Sequence, residues 1–201
     1  MESGWLVVGL SGVTCSGKTS LSRLLCARLP CRVVHQDRYF LPDWDPRLLP
    51  CSLPTPHRDY DVLSALRMED CLGDIQKVLQ EVPESRPRCR PVLLVEGFTV
   101  LNYPPIEKLC HLKYYLELEK EECARRRALR TYDPPDVPGY FDEYVWPRHL
   151  ENRNCSATKL DGSLPLSRLE LAVLSDLAGL TDLTHLGDLT HLPDLTHTTL
   201  Q

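Results

Sequence analysis

The 201-residue sequence predicts an α/β fold built on a parallel sheet, and two observations lead to this prediction. Short apolar runs alternate along the chain with segments whose apolar residues recur at helical spacing, which is typical of parallel strands joined by crossover helices. One run, Val92–Val95, is wholly apolar, as in a strand that is covered on both faces. A chain of this length can bury a full core as one domain.

The first strand and the first helix flank a glycine-rich loop. We predict the strand at Trp5–Leu10 and the helix from Lys18 to Leu29, and the loop contains Gly12-Val13-Thr14-Cys15-Ser16-Gly17-Lys18-Thr19. In this spacing the two glycines let backbone N–H groups surround a phosphate chain at the helix N-terminus. The lysine adds a cation and the threonine hydroxyl a ligand for Mg²⁺. The alternative is a plain glycine turn, but the motif predicts a site for a nucleoside triphosphate.

The same patterns place the remaining elements. We predict strands at Arg32–His35, Val92–Val95, Lys113–Leu118 and Lys159–Gly162, and helices at Asp61–Glu81, Ile106–Cys110, Lys120–Thr131, Trp146–Asn154 and Ser167–Leu180. Five prolines exclude a helix over residues 42–58, which we expect to form a surface loop. A proline-rich stretch within about 126–145 is expected to form a lid. The Asp-Leu-Thr-His repeat predicts a low-complexity tail at 181–201, after one domain at 1–180.

The composition limits the partners and the compartment. A net charge of −5 argues against a nucleic-acid or membrane partner, and no apolar run is long enough to span a membrane. The nine cysteines form no C-x-x-C pair, so we expect reduced thiols in a cytoplasmic protein and no structural metal site. We expect a monomer or a weak homodimer, with the tail as the place for any protein partner.

Three carboxylates are expected near the phosphate loop, because ligands of open α/β sheets bind at the carboxyl ends of the strands. Asp37 follows the second strand and could take the proton of an acceptor alcohol, although it could also be a turn residue. Glu96 follows the third strand and could hold Mg²⁺ or its water, or simply accept backbone N–H groups. Asp61 could cap the long helix or contact the substrate.

An arginine cluster is the second indication of phosphoryl transfer. Arg126, Arg127 and Arg130 share a flank of the predicted helix at 120–131, directly before the lid. Guanidinium groups suit the charge on a migrating phosphoryl group, although the acidic residues before them would also suit a solvated helix face. We favour a catalytic role for the cluster, and spacing alone does not rank its members.

Several motifs together resemble the nicotinamide riboside kinases, within the uridine-kinase-like branch of P-loop nucleoside kinases. They are the phosphate loop, His35-Gln36-Asp37, Tyr60-Asp61-Val62-Leu63, Leu94-Val95-Glu96-Gly97-Phe98, Glu121–Arg127, Asp133–Asp142, Val145-Trp146-Pro147 and Leu160-Asp161-Gly162. The resemblance implies a three-layer P-loop sandwich with strand order 2-3-1-4-5. It also implies ATP-dependent phosphorylation of the ribose 5′-hydroxyl of nicotinamide riboside, and of nicotinic acid riboside, with Mg²⁺ as cofactor.

The resemblance also implies roles for individual residues. Asp37 would accept the proton of the 5′-hydroxyl and lie near the metal, while Asp61 would contact the ribose hydroxyls. The complete predicted set is: catalytic, Asp37, Lys18, Glu96 and Arg127; ATP-binding, Gly12, Val13, Thr14, Cys15, Ser16, Gly17, Lys18, Thr19, Ser20, Arg126, Arg130, Thr131 and Tyr132; substrate-binding, Asp37, Arg38, Tyr39, Phe40, Tyr60, Asp61, Arg127, Tyr132 and Asp133; metal-binding, Thr19 and Asp37.

Two other functions stay open at this point. The acceptor could be uridine or cytidine on the same fold. Alternatively, the chain could bind nucleotide without turnover and act as an interaction protein, because Arg38 stands where the family usually has a second aspartate and the stretch before the fifth strand is short. A panel of nucleosides separates the first alternative from the leading prediction.

Overall fold

The computed structural model describes residues 4–82, 90–153 and 155–180, and its centre is a parallel five-stranded sheet. The strands are β1 Leu6–Gly12, β2 Cys31–His35, β3 Val92–Glu96, β4 Leu112–Glu117 and β5 Thr158–Asp161. They lie in the order β2-β3-β1-β4-β5, so the predicted fold class and strand order are confirmed. The carboxyl ends of β1, β2 and β3 therefore meet at one edge of the sheet.

Helices cover both faces of the sheet. The α-helices within the described residues are α1 Lys18–Arg28, α2 Met68–Gln80, α3 Pro104–Glu107, α4 Lys120–Arg127, α5 Trp146–Asn152 and α6 Leu166–Ala178. Short 3₁₀ turns occupy Gln36–Tyr39, Leu63–Ala65 and Val100–Asn102, and a π-helical turn, Phe141–Val145, runs into α5. In the described parts of the chain, no helix has the length and apolar character needed to cross a membrane.

Two apolar layers enclose strand β3, which lies between β2 and β1 and whose residues 92–95 have no exposed surface. On one face, Leu21 and Leu25 of α1 pack with Val173 and Leu174 of α6. On the other face, residues of α2, including Cys71 and Ile75, pack against the alternate side of β3. This double cover explains why residues 92–95 of β3 are all apolar, and it fixes the strand whose last residue is Glu96.

The predicted long helix at Asp61–Glu81 is wrong at its beginning. Only Met68–Gln80 is α-helical, and the preceding residues form a 3₁₀ turn. The reason is that their backbone bonds run to another segment: the Arg67 N–H donates to the Tyr39 carbonyl at 2.8 Å, and the Ala65 carbonyl accepts from the Leu41 N–H at 2.9 Å. Asp61 is therefore not a helix cap.

The expectation that all cysteines are reduced is also wrong for one pair. Cys26 in α1 and Cys31 at the start of β2 form a disulfide, with their Cα atoms 5.0 Å apart. The tight helix-to-strand turn brings them together, which a search for C-x-x-C spacing does not detect. Cys15, Cys51, Cys71, Cys110, Cys123 and Cys155 are free. The predicted tail at 181–201, Asn154 and the linking residues 83–89 lie outside the described residues.

Candidate active site

The glycine-rich loop forms a tight turn between β1 and α1. Gly12 has φ of +145° and a Cβ there would lie 2.4 Å from the Leu116 carbonyl oxygen, while Gly17 has φ of +96°. Both positions therefore require glycine. The Lys18 amine donates to the carbonyls of Gly12 and Val13 at 2.9 and 2.8 Å. Burial lowers the pKa of Lys18, although the nearby carboxylates of Glu96 and Asp37 oppose the shift.

A cavity of about 250 Å³ opens beside this loop at the carboxyl edge of the sheet. The predicted site residues that line it are Thr14, Cys15, Lys18, Thr19, Asp37, Phe40, Tyr60, Asp61, Glu96, Arg127, Arg130, Tyr132 and Asp133. Residues from the phosphate loop, the end of β2, the end of β3 and the lid thus meet around one space. Such convergence of polar groups in one cleft is typical of a ligand site.

Asp37 and Glu96 form the acidic wall next to Lys18. Asp37 lies just after β2, in the 3₁₀ turn Gln36–Tyr39, and its side chain is exposed to the cavity. Desolvation by the surrounding protein raises its pKa, and the neighbouring Lys18 cation limits this rise. Glu96 is buried and accepts hydrogen bonds from the Thr19 hydroxyl at 3.0 Å and the His35 Nδ1 at 2.6 Å. His35 is a contact that the sequence did not reveal.

Asp61 also lines the cavity, beside Tyr140. The Tyr140 hydroxyl donates to the Asp61 carboxylate at 2.8 Å and accepts from the Tyr60 N–H at 2.9 Å. Burial raises the pKa of Asp61 to about 6, although Arg127 and the tyrosine hydrogen bond oppose this shift. The side chain is thus held as a cavity carboxylate.

Arg127 connects the phosphate loop to the lid. Its guanidinium forms a bidentate ion pair with Asp136 at 2.6 and 2.9 Å, and donates to the Thr14 hydroxyl at 3.2 Å. It also lies 4.2 Å from the centroid of the Tyr132 ring. Burial opposes the charge of Arg127, but the hydrogen bonds to Asp136 together with the charge interactions of Asp61, Tyr132 and Asp136 outweigh this and raise its pKa. The arginine is therefore a fixed cation in the lining of the cavity.

The chain is similar in sequence to several known proteins. A protein-family model described as an AAA domain matches residues 8–156. Nicotinamide riboside kinase 1 from Homo sapiens is 38% identical over 189 residues, which cover 85% of this chain and 91% of the relative. The chain belongs to the nicotinamide riboside kinase family. Nicotinamide riboside kinase 2 from Mus musculus is 35% identical over 190 residues, covering 86% of this chain and 95% of the relative.

Solved structures agree on the fold of this family member. A gluconokinase from Sinorhizobium meliloti aligns with a TM-score of 0.54 and 18% identity, over 90% of this chain and 95% of that chain. At this identity the alignment speaks for the shared fold alone. The predicted resemblance to the family is confirmed by the curated relatives.

Some residues in the predicted set lie outside the cavity lining. They are Gly12, Val13, Ser16, Gly17, Ser20, Arg38, Tyr39, Arg126 and Thr131. Several of these have clear local contacts: the Tyr39 hydroxyl donates to Asp74 at 2.8 Å, and Arg126 pairs with Glu122 and donates to the Gly162 carbonyl at 3.1 Å. Arg38 is exposed and does not line the cavity.

The cavity also contains residues that were not predicted as site residues. They are Leu41, Asp43, His57, Phe98, Pro134, Asp136 and Tyr140. Most come from the proline-rich loop 42–58 and from the lid. His57 packs edge-on against Tyr140 with 4.4 Å between ring centroids, so the loop and the lid are joined by aromatic contacts. Part of this set had a signal, since Phe98 and the lid residues belong to the motifs of the family resemblance.

Proposed function

We propose that this chain transfers the terminal phosphoryl group of ATP to the 5′-hydroxyl of nicotinamide riboside, and of nicotinic acid riboside, in NAD salvage. Its membership of the nicotinamide riboside kinase family supports this reaction. One structural observation supports it most: Asp37 and Lys18, from different elements, line one cavity whose far end contains aromatic side chains. Such a cavity can hold a phosphate and an alcohol at one end and a nucleoside ring at the other.

Asp37 is the proposed general base. A primary alcohol is a weak nucleophile near neutral pH, and a carboxylate that takes its proton accelerates the transfer. The pKa of Asp37 is raised by desolvation, which increases the proton affinity of the carboxylate in the direction that a base requires. Lys18 opposes this rise in the pKa of Asp37, and its amine can supply positive charge for the phosphates.

The site residues fit a magnesium ion that arrives with ATP. Thr19 and Asp37 offer the hard oxygen atoms that Mg²⁺ prefers, and Glu96 adds a buried carboxylate that already accepts a hydrogen bond from Thr19. The described residues contain no group of three or more His, Cys, Asp or Glu side chains that could hold a metal ion by itself. Oxygens of the nucleotide would therefore complete the coordination of the magnesium ion. When bound, the ion would neutralise part of the phosphate charge.

Two arginines are proposed to stabilise the transferring group. Arg130 lines the cavity close enough to influence the pKa values of Lys18 and Asp37, and Arg127 is held in place by Asp136 and Thr14. Preorganised guanidinium groups stabilise the charge of a phosphoryl transfer without reorganising during the reaction. Arg127 and Asp61 also stand where ribose hydroxyls could bind, between the phosphate loop and the aromatic end.

Other parts of the proposal rest on the sequence. We propose residues 1–180 as the kinase domain, with the lid at about 126–145 and the tail at 181–201. ATP and a small nucleoside are the substrates that family membership implies. A monomer or weak homodimer, a cytoplasmic location and a protein partner for the tail remain predictions.

A coupled ADP-release assay with Mg-ATP tests the proposal. Nicotinamide riboside, nicotinic acid riboside, uridine and cytidine are compared in parallel, and ³¹P NMR identifies the phosphorylated position. We expect the two pyridine ribosides to have the highest kcat/KM and to yield the 5′-mononucleotides. A clear preference for uridine or cytidine would contradict the proposed acceptor, and absence of ADP release with every nucleoside would contradict kinase activity.

A further inference from the structure

The strand order separates the proposed base from the phosphate loop. Asp37 follows β2, whereas the loop begins at Gly12, the last residue of β1. β3 lies between these two strands. Within the sheet, the position of Asp37 relative to the phosphate loop is therefore transmitted through the residues that follow β3.

The turn that follows β3, residues 97–99, is bonded to β1 on one side. The Gly97 N–H donates to the Leu10 carbonyl at 3.1 Å, and the Ser11 hydroxyl donates to the Phe98 carbonyl at 3.0 Å. Ser11 has no exposed surface and is the last residue before the phosphate loop. These hydrogen bonds extend the pairing of β1 and β3 past the end of β3, so the turn is attached to the start of the loop.

Gln36 makes the corresponding connection on the other side of this turn. Its side-chain carbonyl accepts from the Thr99 N–H at 3.1 Å, and its amide nitrogen donates to the Thr99 hydroxyl at 2.8 Å and to the Met68 sulfur at 3.3 Å. Because a backbone N–H can only donate, the side-chain oxygen must face it, which fixes the orientation of the amide. Gln36 and Thr99 have no exposed surface, so water does not replace these bonds.

Gly97 provides the space that this arrangement needs. A Cβ at this position would lie 2.2 Å from the side-chain oxygen of Gln36 and 2.3 Å from its Cβ. The Gln36 side chain therefore lies directly against the backbone of the residue that follows Glu96. A larger residue at 97 would displace Gln36 or the turn, and with it the chain that leads to Asp37.

The position of Asp37 depends on the turn that carries it. Its side chain is exposed to the cavity, and within residues 4–82, 90–153 and 155–180 its carboxylate takes part in no ion pair. The turn begins at Gln36 and ends at Tyr39, whose hydroxyl is bonded to α2. Tyr39 thus attaches the turn to α2, and Gln36 attaches it to the segment that is bonded to the phosphate loop.

We propose that Gln36 is the positioning residue of the general base: its amide, together with Thr99, sets the position of the Asp37 carboxylate relative to the phosphate loop. The inference rests on the proposed function and deepens it. A base must lie within hydrogen-bond reach of the alcohol, and a misplacement of about 1 Å can cost roughly 10²-fold in rate. Gln36 and Thr99 do not line the cavity, so they act through Asp37 and not on a substrate.

Single-turnover phosphoryl transfer to nicotinamide riboside tests this inference, with the affinities for ATP and nucleoside measured on the same preparations. Gln36→Met has a similar length but cannot form the hydrogen bonds to Thr99. We expect its transfer rate to fall by a factor of about 10 to 100, with both affinities within about threefold of the parent. Thr99→Val loses only the hydroxyl and should slow transfer about fivefold, whereas Thr99→Ser keeps the hydroxyl and should stay within about twofold of the parent.

A double-mutant cycle with Asp37→Asn separates positioning from a merely structural role. If Gln36 acts through Asp37, Gln36→Met should slow transfer by less than about threefold once the carboxylate has been removed. The same fold loss with and without the carboxylate would overturn the inference. If Gln36→Met does not fold, the cycle is carried out with Thr99→Val, whose effect should disappear in Asp37→Asn.

Tyr114→Phe is the matched control for loss of a hydrogen bond from a buried side chain. The Tyr114 hydroxyl donates to Asp176 at 2.7 Å, and neither residue lines the cavity. The variant should lose stability, measured by urea denaturation, and keep the transfer rate of the parent. A fall in its transfer rate equal to that of Gln36→Met would show that loss of stability explains both, and would overturn the inference.

The outcomes also separate this inference from the proposed function. A slow Asp37→Asn beside a Gln36→Met at the parent's rate overturns the inference and leaves the proposed function in place. A full transfer rate in Asp37→Asn overturns the proposed base and the inference with it. If the parent phosphorylates only uridine or cytidine, the proposed acceptor fails, and the same cycle with that nucleoside decides whether Gln36 positions the base.

Discussion

The two ends of the cavity are built in different ways. The phosphate end comes from eight consecutive residues, from Gly12 at the end of β1 to Thr19 at the start of α1, and its shape depends on local backbone geometry at Gly12 and Gly17. The nucleoside end is assembled from the loop 42–58, the turn before α2 and the lid, which lie far apart in sequence. The comparison teaches that binding of ATP is encoded locally, whereas the choice of acceptor depends on tertiary contacts between irregular segments.

Loss of the phosphate-loop cation should have the largest effect. In Lys18→Ala the charge that neutralises the phosphates is gone, and we expect kcat to fall about a thousandfold with any nucleoside. Steady-state ADP release measures the change, and the exposed Lys108→Ala serves as the control for removing a lysine. An equal loss in both variants, or a loss that depends on the nucleoside, would break the distinction between the two ends.

Arg127 lies where the two ends meet, so its substitution should affect both. Arg127→Lys cannot keep the bidentate pair with Asp136 together with the bond to Thr14, and we expect kcat/KM to fall by a factor of about 10 to 100. Arg125→Lys is the matched control, because Arg125 is exposed on the same helix and pairs with Glu122. Equal kinetics in the two variants would show that the bidentate geometry is unimportant.

The sequence predicts the phosphate end and the sheet because their signals are local. Apolar runs mark the strands, and the glycine spacing marks the loop whatever the rest of the chain does. The start of α2 was misplaced because the apolar residues at 62–66 satisfy helical spacing but bond to the segment 39–41 instead. Periodicity records which residues are buried and does not record the backbone partners that bury them.

The nucleoside end was predicted only in part for a related reason. The sequence indicates Asp61 as one of three carboxylates near the phosphate loop, and the family resemblance indicates Tyr60 and Asp133. Asp43 and His57, in contrast, lie in a loop that has no repeating pattern. Their positions depend on contacts such as that between the Ser52 N–H and the Tyr144 hydroxyl at 2.6 Å, which joins the loop to the lid region. Such contacts between irregular segments leave no period or spacing in the sequence.

Asp61 should lower the free energy of unfolding at neutral pH, because its ionised form is disfavoured in the folded protein. Its folded pKa of about 6 lies above the ordinary 3.8, so the protonated form favours folding and this contribution is lost as pH rises through about 6. Asp61→Asn cannot ionise, and we expect it to exceed the parent by ~1–2 kcal/mol in free energy of unfolding above pH ~7, with no difference near pH ~4. Urea denaturation at several pH values measures this, with Asp70→Asn as the exposed control. A pH-independent difference would contradict the raised pKa.

The smallest effect is expected for the tyrosine that joins the loop segment to the lid. Tyr140→Phe removes the hydroxyl that donates to Asp61 and accepts from the Tyr60 N–H, and should cost about 1 kcal/mol in stability. Because only the nucleoside end is disturbed, KM for the nucleoside should rise about threefold while KM for ATP stays unchanged. Tyr103→Phe is the control, since its ring does not line the cavity. A change in KM for ATP instead would contradict the prediction that Tyr140 acts only at the nucleoside end.

The central claim is that Asp37 accepts the proton of the nucleoside alcohol across the cavity from Lys18. Single-turnover phosphoryl transfer to nicotinamide riboside by Asp37→Asn tests it most directly, with equilibrium binding of ATP and nucleoside measured on the same preparation. The account predicts a transfer rate lower by about 10²–10⁴-fold, with both affinities within about threefold of the parent. A transfer rate close to that of the parent, with both substrates bound normally, would contradict the account.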